Sequence, residues 1–271
     1  MQSLIDHLAT TFVAIISVLM AAGNSSAIGP STPYYLADGG LNSLQVVRSG
    51  AIVDRWITKE RLYPLAVAST IKAYQINGYY SAIYGDGIEY TLEGSPTGRV
   101  FPWQDGPQLE LLDGGTDAES HNYAIEWNAV WSFDLNWQNP VLLFRPQAGA
   151  DGITYDRKAS SLWISLYEGN IQQVTLSGSV LNQFDPGPGR WGALAWEPAT
   201  DTLWAHKVGS SILRQWSKTG VLLEEVSINY AISIGRLGVT TFGGEFSVVP
   251  EPASIALATI AFLAMNVRRR C

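Results

Sequence analysis

Between residues 152 and 226 one pattern of apolar and polar positions is written twice. Displaced by 41 positions, Ile153, Tyr155, Asp156, Leu162, Trp163, Ile171, Val180 and Leu181 fall on Leu194, Trp196, Glu197, Leu203, Trp204, Ile212, Val221 and Leu222 without a gap. Each copy consists of short apolar or aromatic runs separated by polar turns: YDRKASS, LYEGN and TLSGS, then WEPATD, KVGSS and SKTG. Such runs predict strands, and a period near 40 residues with several strands per copy predicts the blades of a β-propeller. One module alone is a twisted sheet that cannot bury both faces. Stacking the copies covers those faces, and closing the ring removes the two exposed ends.

A third copy stands near the start of the chain. Residues 49–56 (SGAIVDRW) align with residues 177–184 (SGSVLNQF), a shift of 128 that also places Tyr35 on Trp163 and Leu36 on Ile164. Three periods fit in that interval, so two further blades are expected between. The first copy begins at its second strand, because little sequence before Pro33 is left to supply an innermost one. Advancing the last copy by one period puts the missing strand within residues 232–248 (ISIGRLGVTTFGGEFSV). The expected fold is therefore all-β: a propeller of about five blades, six being the alternative count, closed by strands from both ends of the chain. The paired aromatics Trp163/Trp204 and Tyr155/Trp196 are assigned to packing between sheets, where each large ring buries about 150–250 Å2.

The other two blades are less regular. Residues 63–103 form the expected second blade, with GYYSAIYG, DGIEYTLEG and GRVFPW as its clearest strands. Residues 123–145 form the third. The stretch between them accumulates Asp105, Glu110, Asp113, Asp117, Glu119 and Glu126, with no Lys or Arg between Val100 and Phe144. There DGGTDAES offers the oxygen ligands that calcium takes, but its spacing does not match an EF-hand loop, and a solvated acidic loop is the plainer reading.

Composition agrees with many short strands and tight turns. The chain of 271 residues is 46% hydrophobic and 15% charged, with 26 Gly and 13 Pro. Its net charge of −7 and the absence of a basic cluster between residues 28 and 250 argue against a nucleic-acid partner, which requires a Lys/Arg footprint.

Both termini read as addresses rather than fold. Residues 8–22 (LATTFVAIISVLMAA) are an apolar run followed by GNSSA, and small Ser25 and Ala27 fit signal peptidase cleavage before Ile28. Residues 1–27 are thus expected to be a secretory signal helix, a retained anchor being the alternative. The missing n-region Lys or Arg is the departure from that pattern. The propeller is expected to occupy residues 28–249. Pro250, Glu251 and Pro252 then break any strand, since both prolines lack a donor N–H. Fifteen mostly apolar residues follow (253–267), then Arg268, Arg269, Arg270 and Cys271. This apolar run is short beside the ~20 residues of a spanning helix. With its flanks it is expected to form a single membrane helix, the arginines remaining cytoplasmic.

The order of Pro-Glu-Pro, one hydrophobic helix and a terminal arginine cluster resembles the PEP-CTERM sorting signal, a segment also called an ice-binding-protein C-terminal domain, a name that implies no ice binding here. The resemblance covers about residues 247–271. It implies that signal peptidase and an exosortase process the chain, the latter removing a tail marked by Pro250, Glu251, Pro252, Arg268, Arg269 and Arg270. It also implies export to the cell envelope or surface with transient inner-membrane anchoring, in hosts that produce extracellular polysaccharide. An unprocessed anchor is the alternative.

No catalytic, cofactor-binding or metal-binding residue is assigned from the sequence. Cys271 is the only cysteine, so an exported domain would carry no disulfide. His121 and His206 lack a second histidine at ligand spacing. Asp156 and Glu197, one period apart, are expected in turns after the first strand of their blades, and His206 at a strand end. Two functions follow: an exported surface propeller that binds or scaffolds, with extracellular polysaccharide or surface proteins as partners, or an exported hydrolase or lactonase-like enzyme on the same scaffold. Convergent acids with room for a metal at the axis would favour the enzyme.

Overall fold

The computed structural model describes residues 29–38, 42–58, 61–76, 86–102, 109–228 and 241–247. These form twenty strands in five four-stranded antiparallel sheets, a five-bladed propeller. Blade 2 comprises β4 (Arg61–Val67), β5 (Ile71–Ile76), β6 (Gly87–Tyr90) and β7 (Pro96–Phe101). Blade 3 runs through β8 (Leu111–Thr116), β9 (His121–Glu126), β10 (Ala129–Asp134) and β11 (Val141–Phe144). The twin modules are blade 4, with β12 (Ala150–Asp156), β13 (Ser161–Leu166), β14 (Ile171–Val174) and β15 (Val180–Phe184), and blade 5, with β16 (Trp191–Glu197), β17 (Thr202–Lys207), β18 (Ile212–Trp216) and β19 (Leu222–Ser227).

Blade 1 joins the chain ends. β1 (Tyr34–Asp38), β2 (Ser43–Arg48) and β3 (Ala51–Ile57) come from the start, and β20 (Thr241–Phe246) from the far end supplies the innermost strand. β20 pairs antiparallel with β1, Phe246 opposite Tyr34 and Gly244 opposite Leu36. The expected closure is therefore found, within the expected segment. The ring of Tyr34 stacks on that of Phe246 at 4.8 Å, which fastens the same seam through side chains.

The core lies between blades rather than within them. Trp163, Leu194, Trp196 and Trp216 fill the interface of blades 4 and 5; Tyr123, Ile125, Ile153 and Leu162 fill that of blades 3 and 4. Tyr34, Leu36, Ala195 and Trp204 join blades 5 and 1. Trp163 and Trp204 are 0% and 1% exposed, as their repeat positions predict. Outermost strands carry exposed aliphatics such as Val53, Val141, Val180 and Leu222. In all five sheets a register shift interrupts the pairing between third and fourth strands. A bulge twists an edge strand and discourages pairing with another chain, so the irregularity protects five otherwise adhesive rims.

Two expectations need adjustment. The third blade begins at Leu111, inside the acidic stretch, because DGG supplies an innermost strand too polar to read as one. The second runs from Arg61 to Phe101, two residues earlier than its sequence limits. GYYSAIYG, the signal segment with Ser25 and Ala27, and the tail from residue 248 lie outside the described residues. Among the described residues no helix is long and apolar enough to cross a membrane.

Candidate functional site

Five innermost strands meet at the propeller axis, and each is an edge strand on its axial side. Its inward N–H groups have no further strand to bond and no bulk water, so an acceptor must be supplied. Asp113 on β8 is that acceptor. Its Oδ2 takes the N–H of Ile153 on β12 at 3.0 Å and of Leu194 on β16 at 2.8 Å. Its Oδ1 takes the N–H of Gly244 on β20 at 3.0 Å and of Gly114 on its own strand at 2.9 Å. One carboxylate thus binds backbone from blades 1, 3, 4 and 5. Asp113 is fully buried, and burial pushes its carboxyl well above the usual value against the opposing pull of four amide donors.

A second acid stands beside it. Glu245 on β20 accepts the Thr154 hydroxyl at 3.1 Å, while the Thr154 oxygen accepts the Trp196 N–H at 3.1 Å. Burial, and then the charge of Asp113, push Glu245 upward as well. Glycines make this approach possible. A Cβ on Gly115 would stand 2.6 Å from Glu245 Oε2, and one on Gly244 would stand 2.8 Å from the Ala193 Cβ. The axis is therefore a filled hub. Its acids are spent on backbone amides and one hydroxyl.

The twin modules carry a different device, missed in the sequence. Asp156 and Glu197 do not sit in turns. Each is the buried last residue of its strand, β12 or β16. Asp156 Oδ2 accepts the indole N–H of Trp163 at 3.2 Å, and Glu197 Oε2 accepts that of Trp204 at 3.0 Å. The spacing of seven residues, acid to tryptophan, places the two across one tight hairpin: Asp156 pairs with Ser161, and Thr154 with Trp163. A buried indole needs such a partner, and that chemistry was the available signal. Glu197 Oε1 also accepts Thr32 N–H at 3.2 Å and the Ser31 hydroxyl at 3.0 Å, tying the N-terminal segment to blade 5.

The remaining candidates resolve into structural roles. His206 lies in β17, fully buried, its Nε2 2.7 Å from the Ser210 carbonyl oxygen. Burial lowers its pKa to about 4, so the ring is neutral and Nε2–H donates. His121 is exposed at the start of β9, where the turn that Asp117 organises ends. Asp117 Oδ1 accepts the N–H groups of Glu119, Ser120 and His121 at 2.8–2.9 Å, and these donors hold its carboxyl below the usual range. The DGGTDAES stretch is thus a strand followed by an Asx turn. Among the described residues no group of three or more His, Cys, Asp or Glu is arranged to hold a metal ion.

The PEP-CTERM protein-sorting motif matches residues 248–270 of the chain. A search of curated proteins found no match. Solved structures resemble the fold at low identity. A chain of the nidogen/laminin complex is 12% identical, with 80% of this chain and 98% of that chain covered and a TM-score of 0.52. A protein of unknown function from Bacteroides thetaiotaomicron VPI-5482 is 12% identical over 79% of this chain and 64% of its own, TM-score 0.51. An inactivated virginiamycin B lyase from Staphylococcus aureus is 16% identical over 77% and 73%, TM-score 0.46. The chain is accordingly a five-bladed β-propeller followed by a PEP-CTERM sorting motif, which implies exosortase-dependent export to the cell envelope or surface.

Proposed function

We propose that this protein is an exported surface propeller that binds and scaffolds within the extracellular polysaccharide layer, its tail serving only to deliver it. The observation that carries this reading is the abutment of ring and address. The closing strand β20 ends at Phe246, and the sorting motif begins at residue 248. Every strand among the described residues precedes the tail, so removing the tail subtracts none of these strands from the sheets. In this reading signal peptidase cuts after Ala27, the helix of residues 253–267 holds the chain in the inner membrane, and an exosortase acts at Pro250-Glu251-Pro252 with Arg268, Arg269 and Arg270 as the cytoplasmic stop. The filled hub supports binding over hydrolysis, since Asp113 and Glu245 are committed to internal donors.

The test is fractionation of a host expressing the full chain, with and without its exosortase. Wild-type cells should carry a shortened chain at the surface, and exosortase-null cells a longer one retained in the inner membrane. Identical size and location in both strains would defeat the sorting reading.

A further inference from the structure

The face of the wheel that carries the β9–β10 and β13–β14 turns displays the two aromatic side chains that stand among the exposed large hydrophobics of the described residues. These are Trp127, 46% exposed, and Tyr167, 37% exposed. In the twin blades every large ring but Tyr167 is buried or half-buried, and in blade 3 so are Tyr123, Trp131, Phe133, Trp137 and Phe144, so a tryptophan exposed at a hairpin tip calls for a reason. The two rings meet edge to face, centroids 4.9 Å apart. Trp127 rests on Gly149, where a Cβ would come within 2.4 Å of the indole. The guanidinium of Arg190 lies 4.6 Å from the Tyr167 ring centroid, and Asp151 holds it in a fork of 2.6 and 2.9 Å bonds. Main-chain bonds fix the turns themselves: Ala150 N–H to the Trp127 carbonyl at 2.9 Å and Tyr167 N–H to the Gly149 carbonyl at 2.7 Å. The platform is therefore preformed and draws on three blades.

We propose that Trp127 and Tyr167 form a stacking site for a neutral polysaccharide. A pyranose ring has an apolar C–H face that lies on an aromatic ring and a rim of hydroxyls that seeks polar groups. Here exposed Asn128 and Glu168 adjoin the rings in the same two turns, and Arg190 lies against the Tyr167 ring. Charge favours a neutral chain: the protein carries −7, and Asp151 neutralises Arg190. Rigid aromatics lose little entropy when they bind, which suits repeated weak contacts along a polymer. Orientation agrees. β8 starts at Leu111, opposite Glu126 and so beside the Trp127 turn, whereas β20 ends at Phe246, opposite the start of β1. Innermost strands share one direction along the axis, so the chain leaves for its tail on the face opposite the platform. A tethered wheel presents Trp127 and Tyr167 outward.

This site deepens the surface-binding reading and rests on it. The test uses the full chain in a non-glycosidic detergent, run through native gels containing hydroxyethyl-cellulose, dextran, galactomannan or anionic alginate. At least one neutral polymer should retard the protein. Trp127→Ala and Tyr167→Ala should each weaken retardation by about tenfold or more, whereas Trp127→Phe should retain most of it. Gly149→Ala, which displaces the indole, should weaken it as well. Unchanged thermal unfolding of the variants shows that the fold is intact. Retardation by none of the neutral polymers, by alginate alone, or equally for wild type and Trp127→Ala would overturn the site. Trp127-dependent retardation of a chain whose size and location exosortase loss leaves unchanged would uphold the site while removing the sorting reading. A correctly sorted chain that no polymer retards would do the reverse.

Discussion

Blades 4 and 5 are near copies of each other, and blade 3 is not, yet blade 3 holds the ring together. In the twin blades the shared residues serve their own hairpin: Asp156 with Trp163, Glu197 with Trp204. Blade 3 has Thr116 at the end of its innermost strand, where the twins have an acid. Its one distinctive acid, Asp113, reaches Ile153, Leu194 and Gly244, each in another blade. Repetition thus secures what each module does for itself. The coordination of modules falls to a residue that occurs once, because an acid from every blade would crowd like charges onto one buried axis.

This contrast can be broken at its strongest point first. Asp113→Ala removes the acceptor of four buried N–H groups, each of which costs about 1–3 kcal/mol when left unpaired. The expected loss is therefore the largest in the molecule, about 5 kcal/mol by urea denaturation, with the first and last blades separating early. A loss below about 1 kcal/mol would mean that water can serve the hub in its place.

Removing a repeated ring should come next. Trp163→Ala or Trp204→Ala is expected to lose about 3–5 kcal/mol, since each leaves a cavity between sheets. The two losses should be similar, and a large disparity would show that the twin blades are not energetically equivalent.

His206 offers a comparison by pH. Its folded pKa of about 4 lies below the ordinary 6.5, so the unfolded chain takes the proton first as pH falls. Its stabilisation is complete above about pH 6.5 and is lost progressively toward pH 4, by about 3 kcal/mol. Asp113 and Glu245, both raised, act in the opposite sense: their contribution is present below their unfolded values and fades as pH rises toward the folded ones. The difference in unfolding free energy between wild type and His206→Gln isolates the histidine, and it should shrink steadily from pH 7 to 4.

The smallest effect is expected from Glu197→Gln, about 1–2 kcal/mol. The amide can still accept the Trp204 indole N–H, but it can no longer offer four acceptor positions to Ser31, Thr32, Thr200 and Trp204. Asp156→Asn loses the Lys218 ion pair at 2.7 Å instead, so equal effects in the two blades would indicate that the shared indole bond dominates both.

Much of the wheel was legible in the chain because its strands obey local rules. The shift of 41 positions, the tryptophans and the truncated first blade point to about five modules and a closing strand, since a sheet with apolar faces must be covered wherever it stands. The tail was equally legible, because a sorting signal is read as linear sequence by other proteins. Leu111–Thr116 was not, because a strand holding Asp, Gly and Gly contradicts β-propensity and is stabilised by the axis around it. The same limit hid the hub and the platform. Asp113 finds its partners 40, 81 and 131 residues away, and Trp127 meets Tyr167 across two blades. The separations of 40 and 81 lie near one and two periods, so the repeat says which strands neighbour one another, but not which side chain turns toward the axis or which tip keeps an exposed ring. Those contacts exist only after the wheel has closed and set which strand ends and which turns face one another.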